Sequence, residues 1–266
     1  MTSRQDYIIE GDDDSTIVSS LDYSKFLDEN VPDLPKVYSG MEVMDKYLEG
    51  FEEGEVYLVS GKPKHGKSLW IKSLINSFYT QGVLSIVFSY EEPPKQFFRG
   101  FEDNGKKLLF YMPKLKKTFD VDGMLNQAIE ARDNYGTRVM FIDNGQFLAH
   151  RVTTSRLDAV IGDMMLQIKN FANDEGYIIF LIWHLKKEQV VSLKSLNDSL
   201  ILDSAMLYAL CDGLIFLYRE VESTGLSTIE SSYLKLHSHR RTPTYEQIIP
   251  LVKKGKYFKE IDVGDI

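Results

Sequence analysis

Near-continuous apolar runs alternate along this chain with amphipathic stretches, and the two periods separate strands from helices. Buried-strand runs are Val56–Ser60, Leu84–Ser89, Arg138–Asp143, Tyr177–Trp183 and Gly213–Tyr218, followed by Ser231–Leu236 and Glu246–Pro250. Helical spacing marks Met41–Tyr47, Ser68–Tyr79, Pro94–Phe101, Val121–Tyr135 and Ser155–Glu175. Strands without polar alternation must be covered on both faces. The pattern therefore predicts an α/β fold, a mostly parallel twisted sheet flanked by helices. The last strands follow one another through short connections, which predicts an antiparallel edge. Residues 1–36 are polar and acidic and read as a flexible or partner-docking arm with one short helix around Ser19 to Leu27. Residues 37–266 then form the folded domain, and no internal repeat is visible.

The chain has 266 residues, enough for one large α/β domain with a proper core. No apolar run approaches the length of a membrane span, and the first residues are polar and acidic rather than a signal peptide. The single cysteine, Cys211, lies in an apolar stretch, which fits a core thiol and a reducing, cytoplasmic setting. The net charge of −8 argues weakly against a duplex-binding face, but the charge is uneven. Acid is concentrated before residue 55, whereas basic clusters fall at Lys114–Lys117, Lys186-Lys187, His239–Arg241 and Lys253-Lys254.

The sharpest chemistry is the run Gly61-Lys62-Pro63-Lys64-His65-Gly66-Lys67-Ser68, which matches the phosphate-binding pattern G-x-x-x-x-G-K-S/T. Its setting matters as much as its letters. The apolar strand Val56–Ser60 precedes it, and a helix with Leu69, Ile71, Leu74, Ile75 and Phe78 on its apolar side follows. Glycines let the backbone approach a phosphate, free N–H groups point at it, and the helix N-terminus favours negative charge. Lys67 would reach the β- and γ-phosphates of ATP or another nucleoside triphosphate, and the Ser68 hydroxyl would sit on Mg²⁺.

Ligands of such sheets bind at the carboxyl ends of the strands. There the chain places Glu91 after Leu84–Ser89, Asp143 at the end of Val139–Ile142, and His184 directly after Trp183. Asp143 is placed to hold Mg²⁺, Glu91 to orient and deprotonate a water, and His184 to sense a terminal phosphate. Read singly, Glu91 or Glu92 also fits a solvated loop acid, and His184 a strand cap. Asp143 is followed by Asn144 rather than by Glu, so the base falls to the neighbouring strand and to Glu91.

The order of these segments resembles the RecA-type ATPase domain of DnaB-type hexameric replicative helicases, including phage primase-helicases. Ser39 to Phe51, ahead of Glu53-Gly54-Glu55, is similar to the opening of such domains. Phe88-Ser89-Tyr90-Glu91-Glu92-Pro93 resembles the family's F-S-L-E-M-P, and Ile142 to Leu148 its V-D-Y-L-Q-L-M. Ile182 to Lys187 is similar to S-Q/H-L-x-R/K, Leu196 to Ser199 to L-R-E-S, and Asp212 to Glu220 to the D-x-I…Y-R-D/E region. His237 to Pro243 falls where the family has K-x-R-x-G-P, with Ser238 in place of the lysine and Thr242 in place of the glycine. The resemblance covers residues 37 to 250. It implies a homo-oligomer, a hexameric ring or helical assembly, with ATP sites between subunits. It also implies that Glu91 is the base, Asp143 the metal acid and His184 the phosphate sensor. Arg240 is implied as an arginine finger given to a neighbour, with Arg241 as the fallback.

The resemblance also implies that the loops after the Asp143 and His184 strands face a channel. Arg151, Arg156, Lys187 and Lys194 are then the candidates for contacts to single-stranded DNA phosphates, although both loops also read as solvated surface. The expected function is a DNA helicase driven by ATP hydrolysis. The alternative is a RecA-like recombinase, filament former or helicase-accessory ATPase that binds DNA without unwinding. The acidic arm would suit a basic surface on a primase, polymerase or loader. No membrane partner is expected.

Overall fold

The computed structural model describes residues 17–30, 35–99, 101, 108–114, 120–149, 157–185, 192–201, 205–223, 228–242 and 246–261. Its elements in chain order are α1 (Ser20–Asn30), α2 (Glu42–Leu48), β1 (Val56–Gly61), α3 (Lys67–Thr80), β2 (Leu84–Ser89) and α4 (Pro94–Arg99). Then come α5 (Val121–Tyr135), β3 (Thr137–Asp143), α6 (Gln146–Ala149), α7 (Leu157–Glu175), β4 (Ile178–His184) and α8 (Ala205–Leu210). The chain closes with β5 (Gly213–Ser223), β6 (Thr228–His239), β7 (Gln247–Lys254) and β8 (Tyr257–Glu260). The strands form one sheet in the order β2-β3-β4-β1-β5-β6-β7-β8. The first five run parallel, and β6, β7 and β8 are added antiparallel. The expected architecture is the observed one.

Strand alternation explains why both faces are apolar. Val56 and Leu58 of β1 point into a core shared with Met124 of α5, Met164 and Ile168 of α7 and Leu207 of α8. Tyr57 and Val59 point the other way, towards Met44 of α2, Trp70 and Leu74 of α3 and Phe97 of α4. Cys211 is buried, and burial pushes its thiol up to about 12, as a core cysteine requires. Local chemistry sets helix ends: the Asp120 side chain accepts from Gly123 N at 2.6 Å to start α5, and Gly136 ends it in a left-handed conformation. α1 buries none of its own residues. The rest of the predicted arm, 1–16 and 31–34, lies outside the described residues.

Several extents differ from expectation. β5 and β6 are longer than the runs Gly213–Tyr218 and Ser231–Leu236, because the two pair as one hairpin well past their apolar parts. α6, α8 and β8 were not foreseen. They are four to six residues long, too short for a period to register. β8 matters nonetheless: it pairs with β7, and Phe258 N donates to Ser73 Oγ of α3 at 2.8 Å.

The amino-terminal edge of the parallel strands carries a buried ionic network. Arg241 donates from Nε to Glu55 Oε1 at 2.6 Å and from Nη1 to Glu52 Oε1 at 2.9 Å. Its Nη2 reaches the carbonyls of Gly50 and Leu48. Tyr57 donates its hydroxyl proton to Glu55 Oε2 at 2.6 Å, and His239 Nε2 lies 3.4 Å from Glu55 Oε1. Burial pushes the Glu55 carboxyl up, but its bonds to His239, Arg241 and Tyr57 outweigh burial and hold it down at about 2. Arg241→Ala should therefore cost about 3 kcal/mol in urea unfolding, since it takes the guanidinium away from a buried carboxylate and leaves Glu55 with only its Tyr57, His239 and backbone contacts. A depressed carboxyl adds stability that is complete above its unfolded value near 4.5 and is lost as pH falls towards 2. In Arg241→Ala, where the folded-state carboxyl lies closer to its ordinary value, that acid loss should be smaller and end at a higher pH than in the parent. Coincident curves would show that Arg241 does not hold Glu55 ionised.

Candidate nucleotide site

β1 lies between β4 and β5, so the loop Gly61–Gly66 emerges from the middle of the sheet onto the N-terminus of α3. Two glycines are required there. A Cβ at Gly61 would lie 2.4 Å from the Leu217 carbonyl oxygen, and one at Gly66, where φ is +93°, would lie 2.7 Å from the Phe258 ring. Lys64 holds a left-handed φ of 67° at the loop's tip. Lys67 Nζ donates to the carbonyls of Gly61 at 2.8 Å and Lys62 at 3.0 Å, which folds the ammonium over the loop. Burial pulls Lys67 down to about 8, against the upward pull of the Glu91 and Asp143 charges.

His65 ties this loop to the next strand. Its Nδ1 accepts the Arg219 backbone N–H at 2.9 Å, and its ring packs edge-on to Tyr218. Burial lowers its pKa to about 4, helped by the charges of Lys62, Lys67 and Arg219, so at neutral pH the accepting lone pair is free of a proton.

The strand-end residues converge beside the loop. Ser68 donates its hydroxyl proton to Asp143 Oδ2 at 2.9 Å. Asp143 is 2 % exposed, and burial raises its carboxyl to about 6, with the Ser68 bond opposing and the Glu91 charge adding to the rise. Asn144 Oδ1 accepts from Gln146 N at 2.9 Å, which fixes its amide so that Nδ2 faces the site. From there Nδ2 donates to Glu91 Oε2 at 3.1 Å and meets His184 Nε2 at 2.8 Å. His184 Nε2 is 3.5 Å from Glu91 Oε2. Glu91 is half exposed, whereas Glu92 turns away into an ion pair with Lys72 at 2.8 Å. In the sequence, Asn144 marks only the absence of an acid beside Asp143. The structure makes it the amide that joins Glu91 to His184.

Ser68 Oγ and Asp143 Oδ2 are hard oxygen donors of the kind Mg²⁺ takes. No cluster of three or more His, Cys, Asp or Glu suited to caging a metal is found among the described residues. Mg²⁺ that keeps waters and phosphate oxygens needs none. Next to the loop lies a cavity of about 700 Å³. Its walls include His65, Arg219, Tyr233, Pro250 and Phe258. Tyr233 and Phe258 had no assigned role in the sequence, because only the β6–β8 hairpins bring them to the loop.

The two arginines of the β6 end are separated by their partners. Arg241 belongs to the network around Glu55. Arg240 is half exposed, with its guanidinium at the Ala209 carbonyl and 3.8 Å from Asp212 Oδ1. Antiparallel pairing sets His239 opposite Gly213, at the amino-terminal edge of the sheet. The phosphate loop is at the other edge, the six residues of β1 away, roughly 17 Å. Arg151, Arg156 and Lys187 lie outside the described residues, and Lys194 sits in a short 3₁₀ turn, Leu193–Ser195.

No family model matches the chain, and no curated protein does. Solved structures do. The ATPase domain of G40P superposes with a TM-score of 0.73 at 15% identity, covering 91% of this chain and 97% of that one. A DnaB-like replicative helicase, described with its interactions with primase, gives 0.74 at 17%, covering 92% and 68%. The KaiC-like protein PH0186 from Pyrococcus horikoshii OT3 gives 0.64 at 16%, covering 86% and 100%. The chain has the RecA-like fold of P-loop ATPase domains, and at these identities the likeness is one of fold.

Proposed function

We propose that this RecA-like domain hydrolyses ATP, or another nucleoside triphosphate, with Mg²⁺, and uses the cycle to move along single-stranded DNA as the motor of a replicative helicase. The observation that carries the reading is the meeting of Lys67, the Ser68–Asp143 pair and the Glu91–Asn144–His184 cluster on one sheet edge. Loop N–H groups and Lys67 would hold the phosphates, with the base in the cavity against Tyr233, Arg219 and Phe258. Bound Mg²⁺, held by Ser68 and Asp143, would neutralise charge on the phosphates. Glu91 orients a water and takes its proton as the water oxygen bonds the γ-phosphorus. The bond from that phosphorus to the bridging oxygen breaks, giving ADP and inorganic phosphate. His184, joined to Glu91 through Asn144, is placed to report the state of the γ-phosphate.

Arg240 cannot reach the loop of its own subunit, which supports a role at a neighbour's site in a ring or helical homo-oligomer. Arg151, Arg156, Lys187 and Lys194 are proposed for phosphate contacts to the single strand, which predicts binding without sequence preference that weakens steeply with salt. The arm, residues 1–36, is proposed to dock on a partner; a primase is one candidate, since a structural neighbour is described with one. The fold shared with a KaiC-like protein favours a second reading, an accessory ATPase that uses nucleotide as an assembly switch. Strand displacement on a forked duplex separates the two: the motor unwinds with ATP and Lys67→Ala does not, whereas a switch binds the single strand and never unwinds.

His65 offers a milder test. His65→Ala removes an acceptor worth about 1 kcal/mol, so triphosphate binding should weaken by about 5-fold. His65→Asn, whose Oδ1 takes the place of Nδ1, should recover it. A fluorescent-nucleotide titration that finds all three proteins alike would mean the loop needs no such tie.

A further inference from the structure

We propose that Lys72 is a positioning residue for Glu91, acting through its ion pair with Glu92. The inference rests on the reading of Glu91 as the base. Two glutamates follow β2 in succession, and the fold gives them separate surroundings. Glu91 faces Asn144 and His184, and Glu92 Oε2 accepts from Lys72 Nζ at 2.8 Å. Lys72 is 6 % exposed, a burial that a lysine tolerates only when paired. Its ammonium lies 4.7 Å from the Phe97 ring centroid and 5.9 Å from that of Phe101, so aromatic faces wall it off from water.

The position on α3 gives the pair its purpose. Lys72 stands four residues after Ser68, on the same helix face. One helix therefore grips both neighbouring strand ends, Ser68 holding Asp143 and Lys72 holding Glu92. The turn between is fixed on its other side by backbone: Tyr90 N and Glu91 N donate to the Asp143 carbonyl at 2.5 and 3.3 Å. Ser89 Oγ donates to the Glu92 carbonyl at 3.2 Å. With the backbone tied to β3 and the Glu92 side chain tied to α3, the Glu91 carboxylate is left directed at Asn144. Without Lys72, the Glu92 carboxylate loses its restraint and its counter-charge, and would repel Glu91 and bound phosphates. Methionine at both positions would remove both charges at similar volume, leaving neither one buried without its partner.

The test measures turnover and nucleotide affinity on the full chain for the parent, Lys72→Met, Lys72→Arg, Glu92→Gln, the double variant Lys72→Met with Glu92→Met, and Glu91→Gln. Lys72→Met should lower kcat by about 10- to 100-fold with nucleotide affinity within about 3-fold, because Lys67 and the loop are untouched. Lys72→Arg should restore most of kcat, and so should the double variant, which leaves no unpaired charge. If Lys72→Met does not fold, Glu92→Gln carries the test, with kcat down by about 3- to 10-fold at unchanged affinity. Parent-level kcat in Lys72→Met, or in Glu92→Gln, while Glu91→Gln is inactive overturns the inference alone. Equal losses of kcat and affinity would make the pair mere fold support and overturn it too. Full turnover in Glu91→Gln removes the reading of the base, and the inference with it.

Discussion

Glu91→Gln should lower ATP turnover by about 10³-fold and leave nucleotide affinity near that of the parent. The substitution keeps the shape and the bond to Asn144 Nδ2, since a Gln oxygen accepts as a carboxylate does. What it removes is the ability to take a proton. Lys67, Gly66 and the Ser68–Asp143 pair are unchanged, so the ground-state complex should form normally. The two adjacent acids also make an internal comparison. Glu92 faces Lys72, so Glu92→Gln should have a far smaller effect than Glu91→Gln. The opposite ranking would assign the base to Glu92 and contradict the observed geometry.

Loss of Arg240 should be at least as severe. Arg240→Ala is expected to reduce turnover by about 10³- to 10⁵-fold, the range for removing a cation that meets developing phosphate charge. Arg240→Lys should recover little, because a point charge does not reproduce the planar fork. The distance from its own loop gives the prediction a second part. Mixing Arg240→Ala with Lys67→Ala, each inactive alone, should restore a fraction of turnover. In the proposed oligomer, mixed assemblies would contain interfaces at which an intact loop faces an intact arginine. No recovery on mixing, in assemblies shown to exchange subunits, would place Arg240 outside the reaction. Arg241→Ala should separate from both by its loss of stability.

The order of apolar runs carried most of the fold, because parallel strands buried on both faces leave unbroken hydrophobic stretches such as Val139–Ile142 and Ile178–Trp183. Positions just after those runs marked Glu91, Asp143 and His184, which the structure brings together, since strand ends on one sheet edge must be neighbours. Three parts were not legible. β8 has four residues behind a basic turn, and only its pairing with β7 and its packing on α3 show that Phe258 lines the loop. The choice between Arg240 and Arg241 depends on Glu55, 186 positions away in the chain, which claims Arg241. Asn144 and Lys72 carry little signal in sequence, because their partners, Glu91, His184 and Glu92, stand at strand ends elsewhere in the chain. The i, i+4 spacing of Ser68 and Lys72 was the one local hint, and it points nowhere until Glu92 is placed.

ATP hydrolysis by the parent chain, measured with and without single-stranded DNA, addresses the motor reading most directly. A motor that couples hydrolysis to movement along the strand is predicted to hydrolyse slowly alone and several-fold faster or more on the single strand, with the gain falling as salt rises. Substantial hydrolysis that ignores DNA at every salt concentration would contradict translocation and leave the nucleotide as an assembly switch.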